Sequence, residues 1–503
     1  MKKTSRREFV AASAGAVALS AAIFKSAQGW LTTMGQYAGV GVERTLHEPM
    51  TPPAGAEIDP VSHALNRITF GPGPGDHARV SAMGVKAFIE EQLGPEKIDN
   101  SLCDRATARF GDLWNEPLGE QYDVDSEALP PVLRQVTLLR AIYSERQFFE
   151  VMCEFWSDHF NIDPTKGDCR WTKPDDDAQV IRKHALGNFR GMLRASALSP
   201  AMLWYLDGRA NVKRTPEEKP NENYARELME LHTLGVHGGY TQQDVMEVAR
   251  CLTGWTVLAR KDDGFSGNLL SPLKDRGVAV FRPEAHDDGA KRVLGSEIPA
   301  GLGEKDLDRV IEIVASHPST ARFVAHKLCA RFIADEPPAA AVAAVAAEFA
   351  ASAGDIKSML RVLFATPEFS ASGGVKFKRP FHFVVSALRA TNASTSAERP
   401  VLSYLERMGH MPFRYPTPDG YPAAAIHWHA TLLWRWKFAL ALANNRIGGT
   451  HIERFRLQRR IGSDAGLMAT LLGRQPRAEE SDAYLKSGDG LALLLASPAF
   501  QRC

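Results

Sequence analysis

The chain has 503 residues, 44% hydrophobic and 24% charged, ordinary globular proportions that exclude a disordered or membrane-embedded body. Its net charge is +1, and Lys2, Lys3, Arg6, Arg7 and Lys25 against Glu8 supply +4 of it, so the rest carries −3 and lacks the basic footprint that binding a nucleic-acid backbone needs. The six cysteines form no C-x-x-C pair, which leaves zinc ribbons, iron–sulfur clusters and c-type haem unsupported. An oxidising space would permit disulfides, but most of these cysteines sit in helical patterns, where buried free thiols are the expected state.

The N-terminus reads as an export signal. Ser5-Arg6-Arg7-Glu8-Phe9-Val10 resembles the twin-arginine motif, and residues 10–24 are apolar or small before Lys25. Fifteen such residues are too few for a spanning helix, which needs about 20, but they suit a signal peptide. The expectation is a twin-arginine signal peptide over 1–28, cut near Ala27 or kept as an anchor, and a periplasmic or otherwise extracytoplasmic body. Membrane contact would then run only through an uncleaved signal segment.

Residues 29–60 hold Gly, Pro and Thr without periodicity and read as a linker. Asp59-Pro60 then supplies an N-cap and a first-turn proline, with Val61, Ala64, Leu65 and Ile68 as the buried stripe. A second helix is predicted over 76–94. Pro130-Pro131 opens one long helix to about residue 160, and 161–178 reads as a polar loop. Helices follow over 178–197, 200–206, 222–234 and 242–253, the last begun by a capping box at Thr241-x-x-Asp244. Gly235 and Gly254 are left-handed stop signals. Periodicity fails over 255–295, where pieces such as 277–281 can pair as a small hairpin, and helices resume at 304–316, 318–334, 338–353, 355–366, 380–391, 399–409 and beyond 424. The expected fold class is all-α: a large multi-helix domain in two lobes, 61–295 and 296–503, with one irregular insert able to hold a short β-hairpin.

Three clusters can carry chemistry. At 100° per residue, Glu227 falls at about 40° and Glu230 at about −20° from Asn223, whereas His232 falls at about 180°. The two carboxylates can act together, holding a divalent ion or splitting their pKa values; His232 must face another wall. The alternative is an ion pair with Arg250 or Arg226. In the second cluster, Glu154-Phe155-Trp156-Ser157-Asp158-His159-Phe160, His159 emerges on an aromatic face and Glu154 and Asp158 share a different one. The third is His286-Asp287 in the irregular insert, where a site and a polar turn look alike.

These residues carry a resemblance. Residues 64–71 (ALNRITFG), the Phe155–Phe160 cluster, Ser199-Pro200-Ala201-Met202-Leu203 with Tyr205-Leu206-Asp207, the block 221–255, Phe281-x-Pro-x-x-His286-Asp287-x-Gly289-x-Lys291, Lys378-Arg379-Pro380 and Pro418-Asp419-Gly420-Tyr421-Pro422 together resemble the bacterial family called domain of unknown function 1800, over about residues 60 to 450. The resemblance implies an exported helical protein of unassigned activity. It also implies an exported alkaline phosphatase/sulfatase-like protein as a partner. Family members often have Asn where this chain has Asp158, which adds a charge beside His159.

Three functions follow from these readings. The first is an extracytoplasmic, metal-assisted hydrolase with His159, Glu227, Glu230, His286 and Asp287 lining one pocket, and Glu227, Glu230 and His286 as ligands of a divalent metal. The second is a non-catalytic cell-envelope binding or assembly protein working with an exported partner. The third is a cofactor-bearing redox protein, for which no haem, flavin or iron–sulfur signature is present.

Overall fold

The computed structural model describes residues 50–110, 118–122, 124–258 and 276–503; the signal peptide expected over 1–28 and most of the linker expected over 29–60 lie outside the described residues. The fold is all-α, and strands among the described residues are confined to three two-stranded pieces. No helix among the described residues is long and apolar enough to cross a membrane.

Helix α1 (Pro60–Ile68) starts as its sequence dictates, with the Asp59 side chain accepting the Ser62 N–H at 2.7 Å. The single helix predicted over 76–94 is two, α2 (Asp76–Met83) and α3 (Val85–Leu93), because Gly84 takes φ +85° between them. The long helix predicted to residue 160 is likewise two, α4 (Leu129–Tyr143) and α5 (Gln147–His159). Their break is made by Gln147, whose side chain donates to the carbonyls of Ala141 and Ser144 at 2.9 and 2.7 Å and accepts the Phe70 N–H.

The polar loop expected at 161–178 contains helix α6 (Cys169–Asp176), which runs into a π-helical stretch, Asp177–Arg182. A buried Lys173–Asp176 pair at 2.6 Å, with Ser199 Oγ donating to the same carboxylate at 2.7 Å, holds this polar sequence inside the protein. Helices α7 (Phe189–Ala197) and α8 (Pro200–Tyr205) lead to α9 (Asn223–Glu230) and α10 (Gln242–Cys251). The Thr241–Asp244 capping box forms, and Gly235 and Gly254 sit at φ +82° and +86°.

In the insert, β1 (Trp255–Val257) pairs antiparallel with β2 (Ala279–Phe281), and β3 (Lys291–Val293) with β4 (Ser296–Ile298). Helices α11 (Lys305–Ser316), α12 (Pro318–Phe332), α13 (Ala339–Ala351), α14 (Ile356–Ala365), α15 (Pro380–Ala390) and α16 (Arg399–Arg407) follow, then α17 (Leu432–Ala443) and α18 (Arg454–Ile461). The buried apolar side chains form one continuous cluster reaching from Leu65 to Phe500, with contributions from both sides of residue 295. All six cysteines are buried free thiols.

Candidate functional site

The C-terminal half of α5 sends its two faces to different places. On one face, Glu154 and Asp158 lie a turn apart, and Arg379 forks between them: one guanidinium nitrogen donates to Glu154 Oε1 and the other to Asp158 Oδ2, each at 2.6 Å. Arg379 precedes Pro380, the first residue of α15, and the proline keeps it extended at φ −60°, ψ 158°, so its side chain starts from the mouth of that helix. From the last turn of α12, Arg331 donates to the second oxygen of Glu154 at 3.3 Å.

His410 completes the cluster. One ligating atom from each of Glu154, Asp158 and His410 lies within 4.8 Å of the others. The Phe381 backbone N–H donates to His410 Nδ1 at 3.2 Å, which puts the proton of the neutral ring on Nε2. Burial, and then the charge of Arg379, hold this imidazole far below its ordinary pKa, so it is neutral. Its ring packs on Tyr421 and Trp428, with centroids 4.3 and 5.0 Å away.

The cluster lines a small pocket, with about 40 Å³ of space open to water-sized groups, walled by Phe70, Phe381 and Phe413 on its apolar side. Glu150, Asp177 and Arg182 form a polar wall. Arg182 grips both oxygens of Glu150 at 2.7 and 2.9 Å, and Asp177 and Arg182 are the two ends of the π-helical stretch. A π-turn inside a helix redirects side chains and is a common mark of functional sites. Burial pushes the Asp158 carboxyl up to about 6, against the pull of Arg379 and with the push of Glu154.

Loop 418–422 seals one end of α5. Gly420 takes φ +73°, and Asn161 Nδ2 donates to the carbonyls of Tyr415 and Thr417 at 2.9 and 2.8 Å, tying the approach of that loop to the residues that follow α5. Nearby on α12, Lys327 makes no hydrogen bond or ion pair among the described residues. Burial brings its amine down to about 8, opposed by the charges of Asp158 and Asp419.

The residues singled out from sequence fall in several places. His159 is buried among Trp156, Phe160, Phe189 and Phe323, its Nε2 donating to the His232 carbonyl at 3.1 Å. It does not line the pocket. Burial, with Lys327 and His232 adding to it, holds it neutral. His232 faces the same apolar interior, against Phe160 at 5.1 Å.

Glu227 and Glu230 do share a face of α9. Burial and the neighbouring Glu230 raise the Glu227 carboxyl, while Glu230 accepts from the Tyr240 hydroxyl at 3.3 Å. The ion pair weighed for them with Arg250 does not form. Arg250 binds Glu247 at 2.7 Å and Asp287 at 2.9 Å, and Arg226 binds Glu222 at 2.7 Å.

His286 and Asp287 belong to a clasp. His286 Nδ1 donates to the Thr253 carbonyl at 2.9 Å, and its Nε2 lies 3.2 Å from Asp306 without hydrogen-bond alignment. Asp287 holds Arg250 through both oxygens, and the buried Lys291 amine bonds Asp306 and the Asp287 carbonyl. The motif thus pins the insert to α10 and α11. As a correction, Glu227, Glu230 and His286 are not brought together as ligands: among the described residues the set of three that meets is Glu154, Asp158 and His410. His410, Arg331 and Lys327 went unnoticed in the sequence; the i,i+4 spacing of Glu154 and Asp158 and the Lys378-Arg379-Pro380 motif were the available signals.

Fold and pocket together define an all-helical protein with a charge-lined pocket at the end of one central helix. Residues 63–502 match the family described as Protein of unknown function (DUF1800), and the chain belongs to that family. No curated protein and no solved structure matches it.

Proposed function

We propose that the protein is an extracytoplasmic hydrolase whose proton-transfer group is Asp158. The observation that carries this reading is a carboxyl recessed in a pocket, within 4.8 Å of a second carboxylate and an imidazole, and burial there pushes it up to about 6. Such a group holds and releases protons near neutral pH. The two carboxylates are too close for a water to act between them, so Glu154 holds charge with Arg379 and Arg331 while Asp158 exchanges the proton. Arg379 and the His410 Nε2–H are the donors for negative charge developing on a substrate oxygen.

A second reading, metal-assisted hydrolysis, is favoured by the mutual distances of Glu154, Asp158 and His410. An ion there requires Arg379 to release a carboxylate oxygen and His410 to move its proton to Nδ1, breaking its contact with Phe381. These costs put the metal-free centre first.

The test is turnover of chromogenic esters, phosphates, sulfates, glycosides and peptides, with and without added divalent ions. One class is expected to be hydrolysed, with an acid limb near 6 that vanishes in a folded Asp158→Asn variant. No turnover of any class, or turnover unchanged in that variant, overturns the reading. Export is supported by the Arg6-Arg7 motif. Replacing both by Lys is expected to leave the protein in the cytoplasm.

A further inference from the structure

Helices α17 and α18 carry a surface that the pocket does not use. Residues 432–461 contain seven Lys and Arg against one Glu. Arg435 is buried, so the surface carries six cations against Glu453, a net +5 in a chain whose total is +1. Leu433, Trp436, Leu440 and Phe455 are 61%, 48%, 48% and 81% exposed, and Leu432 is exposed beside them. At 100° per residue, Leu432, Leu433, Trp436 and Leu440 share an arc of about 100° on α17, with Lys437 at its edge. On α18, Arg459 lies about 40° and Arg456 about 100° round the helix from Phe455, both on the same side, by the same arithmetic. The two helices adjoin, since Asp489 bonds both Asn444 after α17 and Arg454 at the start of α18. Trp434 lies between cations, with Arg407 4.5 Å and Lys437 4.4 Å from its ring centroid.

Exposed Trp, Leu and Phe set among Lys and Arg are what an anionic lipid surface binds: the apolar groups enter the headgroup boundary and the cations pair with phosphate. A solvated face needs no exposed Phe and Trp, and a self-associating face would oppose +5 to +5. We propose that α17 and α18 dock this protein on an anionic bilayer surface, independently of the N-terminal apolar segment. This adds a contact to the one expected from the signal segment, and it does not rest on the hydrolase reading.

The experiment is vesicle co-sedimentation of the full chain, with amide hydrogen exchange as the local readout. The vesicles are either phosphatidylglycerol-containing or pure phosphatidylcholine. The anionic vesicles are expected to protect residues 432–461, and the zwitterionic ones are not. Arg456→Glu with Arg459→Glu and Arg460→Glu should weaken binding at least about tenfold, as should raising salt. Trp436→Ser with Phe455→Ser should remove the protection while leaving the thermal midpoint unchanged, because both side chains are exposed. Binding without protection of 432–461 puts the anchor elsewhere and overturns the proposal. So does equal protection by both lipids, absence of binding, or protection that follows protein concentration without lipid.

Discussion

Gly420 lies so close to the carbonyl oxygen of Asp158 that a Cβ at position 420 would sit 2.0 Å from it. The contact is backbone on backbone, and Gly420 is also at φ +73°, so neither strain nor clash can be relieved by a side-chain rotation. Gly420→Ala is therefore expected to cost about 2 kcal/mol or more in chemical denaturation and to push loop 418–422 off the end of α5. Because Tyr421 packs on His410 from that loop, the variant should also lose activity faster than it loses fold. A variant as stable and as active as the parent would refute the role given to the loop.

The raised carboxyl of Asp158 makes a pH prediction whose sign is opposite to the usual one for a paired acid. Its folded pKa, about 6, lies above the ordinary 3.8, so the folded state holds the proton more tightly than the unfolded state does. Stability is then greatest below the unfolded value and falls as pH rises from about 4 to about 6, after which this contribution is flat. Asp158→Asn, which cannot titrate, should remove that part of the slope. Denaturant midpoints of both proteins between pH 4 and 8 check it, and parallel curves would show that Asp158 is an ordinary surface acid.

The clasp around Asp306 predicts a stability effect with no catalytic counterpart. Lys291 and Asp306 are both buried, and Lys291→Met would leave the carboxylate facing His286 alone. Breaking one side of a buried pair costs about 3–5 kcal/mol, whereas replacing both sides by apolar groups is often near neutral. Lys291→Met should thus be strongly destabilised and Lys291→Met with Asp306→Leu largely restored. Any hydrolysis of the pocket's substrate should survive in the double variant. Loss of turnover in a stably folded double variant would return His286 and Asp287 to the active site.

What could be read in advance follows from how local each cause is. The start of α10 was legible because Thr241 and Asp244 cap it from three residues apart. The break between α4 and α5 was not, since Gln147 takes its bonds from Ala141, Ser144 and the distant Phe70. Helix α6 carries Pro174 and a run of polar residues, so its sequence looks like a loop. It is helical because Lys173 and Asp176 pair in the interior, with Ser199 from another segment bonding Asp176. The site shows the same division. The face shared by Glu154 and Asp158 follows from helix geometry, but Arg379 and His410 reach it from more than 220 residues along the chain. His159 drew attention as the polar member of an aromatic cluster, and the aromatic cluster is what buries it.

The thiols offer a test of the whole interior. Cys103 and Cys251 are pushed up to about 12 by burial, and burial raises Cys153 and Cys169 further, so thiolate is scarce at neutral pH at any of them. Reactivity with a disulfide reagent requires both thiolate and access, and burial denies both. The native protein should show fewer than about one fast-reacting thiol, and all six should react in denaturant. A reducing agent should leave the thermal midpoint unmoved, because no disulfide joins these cysteines. Export after folding, as proposed, would carry these thiols to an oxidising space already hidden, so the same titration on protein recovered from the cell envelope tests that proposal. Six slow thiols there would support export in the folded state, whereas cysteines found paired would count against it.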